Sequence, residues 1–229
     1  MDEPVHVSYF SDVLCVWAYV SQIRVDELKK NLGDKTKISY HFIPIFGNTQ
    51  KRIGAGSGYA AFSDHVVEVC NGFEHVEINH DVWKTCAPKS SAATHLFLKA
   101  VQNLENDGSV STGTVAEYGE KSAFEELVWR VRCAFFKEAR DIGQISNLLG
   151  IAEQMQLPVS AIEKQIDSGA AMAVLCNDME QKEIHKLDGS PTYLLNEGRQ
   201  KLYGNVGYRI IEANVFELLQ RPEGQDSWC

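Results

Sequence analysis

No stretch of this sequence approaches the ~18 consecutive apolar residues that suggest a membrane span. The opening MDEPVHVSYF carries neither the basic n-region nor the long apolar h-region of a secretory signal. Basic residues are scarce: 22 Lys and Arg stand against 31 Asp and Glu, a formal charge of −9. A phosphate-tracking surface needs clustered Lys and Arg, so neither nucleic acid nor membrane is an expected partner. There is no C-x-x-C pair, although Cys15, Cys70, Cys86, Cys133, Cys176 and Cys229 are present. The chain is too long for a small disulfide-stapled secreted domain, so reduced, buried thiols are the default. These absences together lead us to expect a cytoplasmic globular protein.

What is present begins with a short apolar run, Val5 to Phe10, ending at Ser11-Asp12, which reads as a buried strand. From Cys15 to about Leu32 an imperfect helical period follows, and Gly33-Asp34 supplies its stop. Ile38 to Ile45 reads as a second strand, closed by Pro44 and the Gly47-Asn48 loop. Strand, helix and strand in under fifty residues make a βαβ unit with a crossover helix. The middle favours helix over Tyr59–Phe73, Ser90–Glu105, Val115–Ala139, Gln144–Met155 and Pro158–Lys186, with an extended piece over His75–Asp81 and an exposed loop over Ser109–Gly113. Thr192–Leu195 and Lys201–Tyr203 flank the turn-rich Asn196-Glu197-Gly198-Arg199 and predict a hairpin. Gly207–Leu219 gives a last helix, and the polar residues after Arg221 a loose tail. At 229 residues, one core with a sizeable insertion fits this order: residues 1–58 and 187–229 as one unit, 59–186 as a helical insertion.

Two short stretches carry chemistry. Cys15 falls at the mouth of the first helix, where free backbone N–H groups and the helix dipole favour a thiolate. A thiol pKa below the ordinary ~8.5 is therefore the expectation if Cys15 is a nucleophile; the alternative is simple core packing. The second is LDGSPTYLLN, in which Pro191 leads directly into a strand; X-Pro bonds there are extended and sometimes cis.

Together these stretches resemble the DsbA-like branch of the thioredoxin superfamily. Asp12-Val13-Leu14-Cys15-Val16-Trp17-Ala18-Tyr19 is similar to that family's D-x-x-C-P-W-C-Y, and Gly189-Ser190-Pro191-Thr192 to its G-x-P-T cis-proline loop. The order of elements from Phe135 through Leu219 follows the family too. The resemblance implies an α/β thioredoxin fold, a mixed sheet with a large all-helical insertion. It also implies Cys15 as the nucleophile, Trp17 as an apolar wall of the cleft, and Ser190-Pro191 as a platform for an extended peptide, with Asp12 and Ala18 in support. Two departures stand out: Val16 replaces the family's proline, and Ala18 its second cysteine.

A dithiol enzyme attacks with one sulfur and resolves the mixed disulfide with the other. Without a local second thiol, the expected activity is monothiol disulfide exchange or isomerisation on a small-molecule or peptide thiol or disulfide. Glutathione is the candidate co-substrate, and no tightly bound cofactor is expected. The related kappa-class glutathione transferases and 2-hydroxychromene-2-carboxylate isomerases offer a second reading, in which a residue at the helix mouth, typically serine, serves glutathione's sulfur. Their Gly-x-Asp-Arg-like loop is Gly204-Asn205-Val206-Gly207 here, so Asn205 is the candidate hydrogen-bonding residue. A third reading is a redox-inactive peptide-binding protein. Cys70, His75, His80 and Cys86 have four residues between their closest pairs, wider than structural zinc usually uses, so no metal is expected. Cys133 and Cys176 read as core. Cys229 could resolve Cys15, pair between the subunits of a homodimer, or have no role; the last is favoured.

Overall fold

The computed structural model describes residues 3–220. β1 (Val5–Ser11) is the central strand, flanked by parallel β2 (Thr36–Phe42) and antiparallel β3 (Thr192–Leu195), with β4 (Gln200–Tyr203) on the outer edge of β3. Along β1, Val5, Val7 and Tyr9 alternate toward the main core, as a period of two requires. Phe10 faces the other way, into a small cluster with Ile43, Leu187 and Leu194. The four residues of β3 are all buried, whereas the edge strand β4 exposes Lys201 and Tyr203.

α1 (Val16–Leu32) packs one face on this sheet and stops at Gly33, whose φ of 47° suits glycine. A π-helical turn over Gln50–Gly54, absent from the sequence reading, leads into α2 (Tyr59–Asn71). The helical block continues with α3 (Ala92–Asn106), α4 (Ala123–Phe136), α5 (Ile145–Gln154), α6 (Val159–Asp167) and α7 (Ala170–Ile184). α8 (Tyr208–Gln220) returns to the sheet and lies beside α1.

Three expectations need correction. The second strand runs over 36–42, not 38–45; Ile43 still bonds back to Ser11, but Pro44 then turns the chain away. The long helix expected over Val115–Ala139 is a 3₁₀ turn (Ala116–Tyr118) followed by α4. Gly119, with φ 64°, ends the turn, and a capping box starts the helix: Glu125 N–H donates to Ser122 Oγ (3.2 Å) and Ser122 N–H to Glu125 Oε2 (2.7 Å). The helix expected over Pro158–Lys186 is divided into α6 and α7 at Gly169, with φ 80°. The extended piece expected over His75–Asp81 is neither helix nor paired strand. Its polar groups are spent on helices instead, with Glu77 O accepting from Tyr19 Oη and Asn79 N–H donating to Phe136 O. The turns that follow deliver Trp83, fully buried, among Phe46, Tyr59, Phe62 and Phe135.

α3 binds the block to the sheet through a polar stripe at helical spacing: Ser91, His95 and Lys99, all buried. Lys99 Nζ lies 2.6 Å from Asp178 on α7 and 3.1 Å from Tyr40 O, and Phe42 N–H donates to the same carboxylate at 2.7 Å. Removing one partner of such a buried pair costs about 3–5 kcal/mol.

The remaining thiols do not assemble a site. Cys70 and Cys86 are buried, Cys133 is half-buried, and no metal-ligating group of three or more His, Cys, Asp or Glu occurs among the described residues. Cys176 corrects its reading as core. α7 buries only the narrow stripe Ala171, Leu175 and Asp178, which leaves Cys176 exposed. Cys229 lies outside the described residues. Burial pushes the Cys70 and Cys86 thiols up to about 12 and Cys133 to about 11. Between the unfolded thiol value of ~8.5 and these values, the unfolded chain binds fewer protons than the native one. Stability is therefore expected to fall as pH rises through that window. Urea midpoints at pH 8 and pH 10 under reductant check this, and Cys70→Ala should flatten the slope.

Candidate active site

Cys15 is the N-cap of α1, with an extended backbone (φ −83°, ψ 116°) and a carbonyl that accepts from Ala18 N–H and Tyr19 N–H at 3.1 Å each. This geometry aims the side chain out of the first turn and toward the loop before β3. There the Ser190–Pro191 bond is cis, and Cys15 Sγ lies 3.1 Å from Ser190 O, to which the thiol donates. Ser190 Oγ accepts from Asp12 N–H at 2.8 Å, so the two chemistry-bearing stretches, 175 residues apart, are directly bonded. Gly204 N–H donates to Pro191 O at 2.8 Å and holds the proline loop from the far side.

Asp12 fixes the turn that carries Cys15. Its fully buried carboxylate accepts from Leu14 N–H (2.9 Å), Phe46 N–H (2.7 Å) and Ser91 Oγ (2.8 Å). An amide cannot reproduce this set. Whichever way the side chain turned in Asp12→Asn, its NH₂ would face a backbone N–H and leave a buried donor unpaired, at about 1–3 kcal/mol. Asp12→Asn is expected to lower unfolding stability by that amount in chemical denaturation, with the fold retained.

The structure adds His95, which the sequence reading passed over. Val13 N–H donates to His95 Nε2 at 3.2 Å, and that nitrogen is 3.6 Å from Asp12 Oδ1. His95 Nε2 thus serves as an acceptor at the turn that carries Cys15, while Nδ1 is buried with no hydrogen-bond partner among the described residues. The signal was available: Ser91, His95 and Lys99 recur every four residues inside an apolar helix. Trp17 is half-buried against the main core beside Cys15, and Ala18 is completely buried. Asn205 is exposed, and its amide oxygen accepts from the Arg24 guanidinium on α1.

The thiol itself corrects an expectation. Cys15 is only 6 % exposed, and burial pushes its pKa up. The Ser190 hydroxyl and the N–H groups of Ala18 and Trp17 pull the other way, but the Asp12 carboxylate adds to the rise. The helix mouth favours the thiolate, yet desolvation wins. Iodoacetamide alkylation of Cys15 is accordingly expected to show a midpoint above the free-thiol value of ~8.5. Ser190→Ala, which removes a lowering contact, should move it higher still.

With this geometry in place, comparison with known proteins decides the family. The DSBA-like thioredoxin domain matches residues 6–215. The chain belongs to that family. No curated protein sequence matches it. Among solved structures, a presumed protein disulfide isomerase from Nitrosomonas europaea superposes with a TM-score of 0.69 at 15% identity, covering 97% of this chain and 100% of that one. The cytosolic disulfide reductase DsbM from Pseudomonas aeruginosa gives 0.66 at 16% identity, covering 93% and 99%. A 2-hydroxychromene-2-carboxylate isomerase gives 0.59 at 17% identity, covering 94% and 97%. The chain thus shares its thioredoxin-like fold with solved structures described as a disulfide reductase and an isomerase, and no helix among the described residues is long and apolar enough to cross a membrane.

Proposed function

We propose that this protein is a thiol–disulfide oxidoreductase or isomerase that works through the single sulfur of Cys15 and is turned over by glutathione. The observation that carries this reading is the 3.1 Å contact between Cys15 Sγ and Ser190 O beside Pro191, with Ala18 where a second sulfur would stand. In the reaction, the Cys15 thiolate attacks one sulfur of a disulfide. The S–S bond breaks, a mixed disulfide with Cys15 forms, and the other sulfur leaves as a thiolate. A first glutathione thiolate then attacks the Cys15 sulfur, the mixed S–S bond breaks and the substrate sulfur leaves as a thiolate; a second attacks the glutathione sulfur now on Cys15, which forms glutathione disulfide and expels the Cys15 thiolate. The raised thiol pKa makes attack faster as pH rises, because only the thiolate reacts.

Glutathione as the external thiol is supported by two observations: the absence of any cysteine bonded to Cys15 among the described residues, and a similar DsbM structure solved with GSH. A cytoplasmic, glutathione-reducing compartment suits such a cycle. The test is direct. Incubation with oxidised glutathione should add one glutathione to Cys15, seen by peptide mass mapping, and catalysed reduction of hydroxyethyl disulfide should require added glutathione. Glutathionylation confined to the exposed Cys176 would overturn the proposal.

A further inference from the structure

On the edge strand β2, a second set of reactive side chains is joined by hydrogen bonds. Ser39 and His41 are two residues apart and so share one face of the strand. Ser39 Oγ lies 3.0 Å from His41 Nε2, and His41 Nδ1 lies 2.8 Å from Asp178 Oδ1 on α7. The direction of these bonds is set by the acid. An ionised carboxylate only accepts, so the His41 proton sits on Nδ1, and Nε2 offers its lone pair to the Ser39 hydroxyl. Ser39 Oγ also lies 3.3 Å from Ser8 Oγ, to which it can donate, and the hydroxyl rotor turns between that acceptor and His41 Nε2.

Each member is held for this role. Asp178 is buried, and its second oxygen is taken by Lys99 and Phe42 N–H, which leaves Oδ1 for His41. The imidazole is stacked on Phe10 with ring centroids 4.5 Å apart, which fixes its plane. Ser39 is exposed, so an electrophile can reach it. None of these residues touches Cys15, Ser190 or Asp12 through a hydrogen bond among those described.

We propose that Ser39, His41 and Asp178 form a second, esterase-type nucleophilic site for small, unhindered carboxylic esters. Ser39 Oγ attacks the carbonyl carbon as its proton passes to His41 Nε2, and Asp178 stabilises the imidazolium. The ester C–O bond breaks, the alcohol leaves with that proton, and an acyl-Ser39 remains. Water then attacks the acyl carbon, gives a proton to His41, and frees the acid and the serine. The nucleophile, base and orienting acid are within the distances such a triad needs.

A fluorophosphonate probe and peptide mass mapping test this on the full-length protein. The expected result is a covalent adduct on Ser39, with a labelling rate lowered about 100-fold or more in His41→Gln, the scale of a lost general base. Asp178→Asn should lower the rate too. Because that change also strips Lys99 of its partner, His41→Gln at a half-exposed site, verified as folded by circular dichroism, is the deciding variant. Ser39→Ala should lose the adduct and keep the glutathione-dependent disulfide activity unchanged, so this site and the Cys15 reading can fail separately. An unlabelled Ser39 in folded protein, or equal labelling in His41→Gln, overturns the proposal.

Discussion

Cys15→Ser is expected to reduce glutathione-dependent disulfide reduction to the uncatalysed background, a loss on the order of a thousandfold or more, as when other covalent catalysts lose their nucleophile. The substitution is nearly isosteric, and a serine hydroxyl can still donate to Ser190 O as the thiol does at 3.1 Å. Folding stability should therefore change little, and a loss of activity would report on chemistry rather than on structure. The same variant separates the competing readings. In an enzyme that merely uses the helix-mouth residue to hold glutathione's own sulfur, serine is the usual occupant, and transferase or isomerase activity would survive or rise. In a redox-inactive binding protein, peptide affinity would be unchanged and no activity would be lost, because none was present. Retention of disulfide exchange by folded Cys15→Ser would sink the monothiol mechanism.

The halves of the site were legible because each is encoded locally. Cys15 precedes a helical period that Gly33 ends, and Pro191 precedes the buried run of β3; both readings need only neighbours in sequence. What binds the two halves was not legible. Asp12 reaches Phe46 and Ser91, and His95 reaches Val13, across separations of 34 to 82 residues that no local pattern encodes. The thiol pKa was misread for a related reason. A helix N-terminus is visible in sequence, but the burial that outweighs it is a property of the packed fold. Cys176 shows the converse error. AAMAVLC reads as a core segment, yet α7 lies on the outside of α3 and covers only every third or fourth residue. Gly169 was in plain view, but the apolar period on both sides of it obscured the break it makes. Ser39 and His41 meet Asp178 only through the packing of α7 on β2, which no local pattern encodes.

Ala18→Cys tests the placement of the missing sulfur and is expected to convert the protein from glutathione-dependent to self-resolving. Residues 15 and 18 are joined by the Cys15 O to Ala18 N–H bond at 3.1 Å, so they occupy the first turn of α1 three residues apart. Side chains at that spacing lie on one helix face, within the Cα separation of roughly 4.4–6.8 Å that a disulfide spans. Ala18 is completely buried, so the added sulfur must be accommodated in a filled core, at a cost of about 1–3 kcal/mol. That is tolerable for a folded domain of this size and is measurable as a lowered urea midpoint in the reduced state. In an oxidising glutathione buffer the variant should lose two free thiols by forming the 15–18 bond, and its insulin-reducing activity should no longer need added glutathione. The double variant Cys15→Ser with Ala18→Cys should lose that gain, because the attacking sulfur is gone while the resolving one remains. A folded Ala18→Cys protein with both thiols still free would mean that Cys15 does not point where the Ser190 contact puts it, and the reading of this helix mouth as a redox motif short of one cysteine would fall.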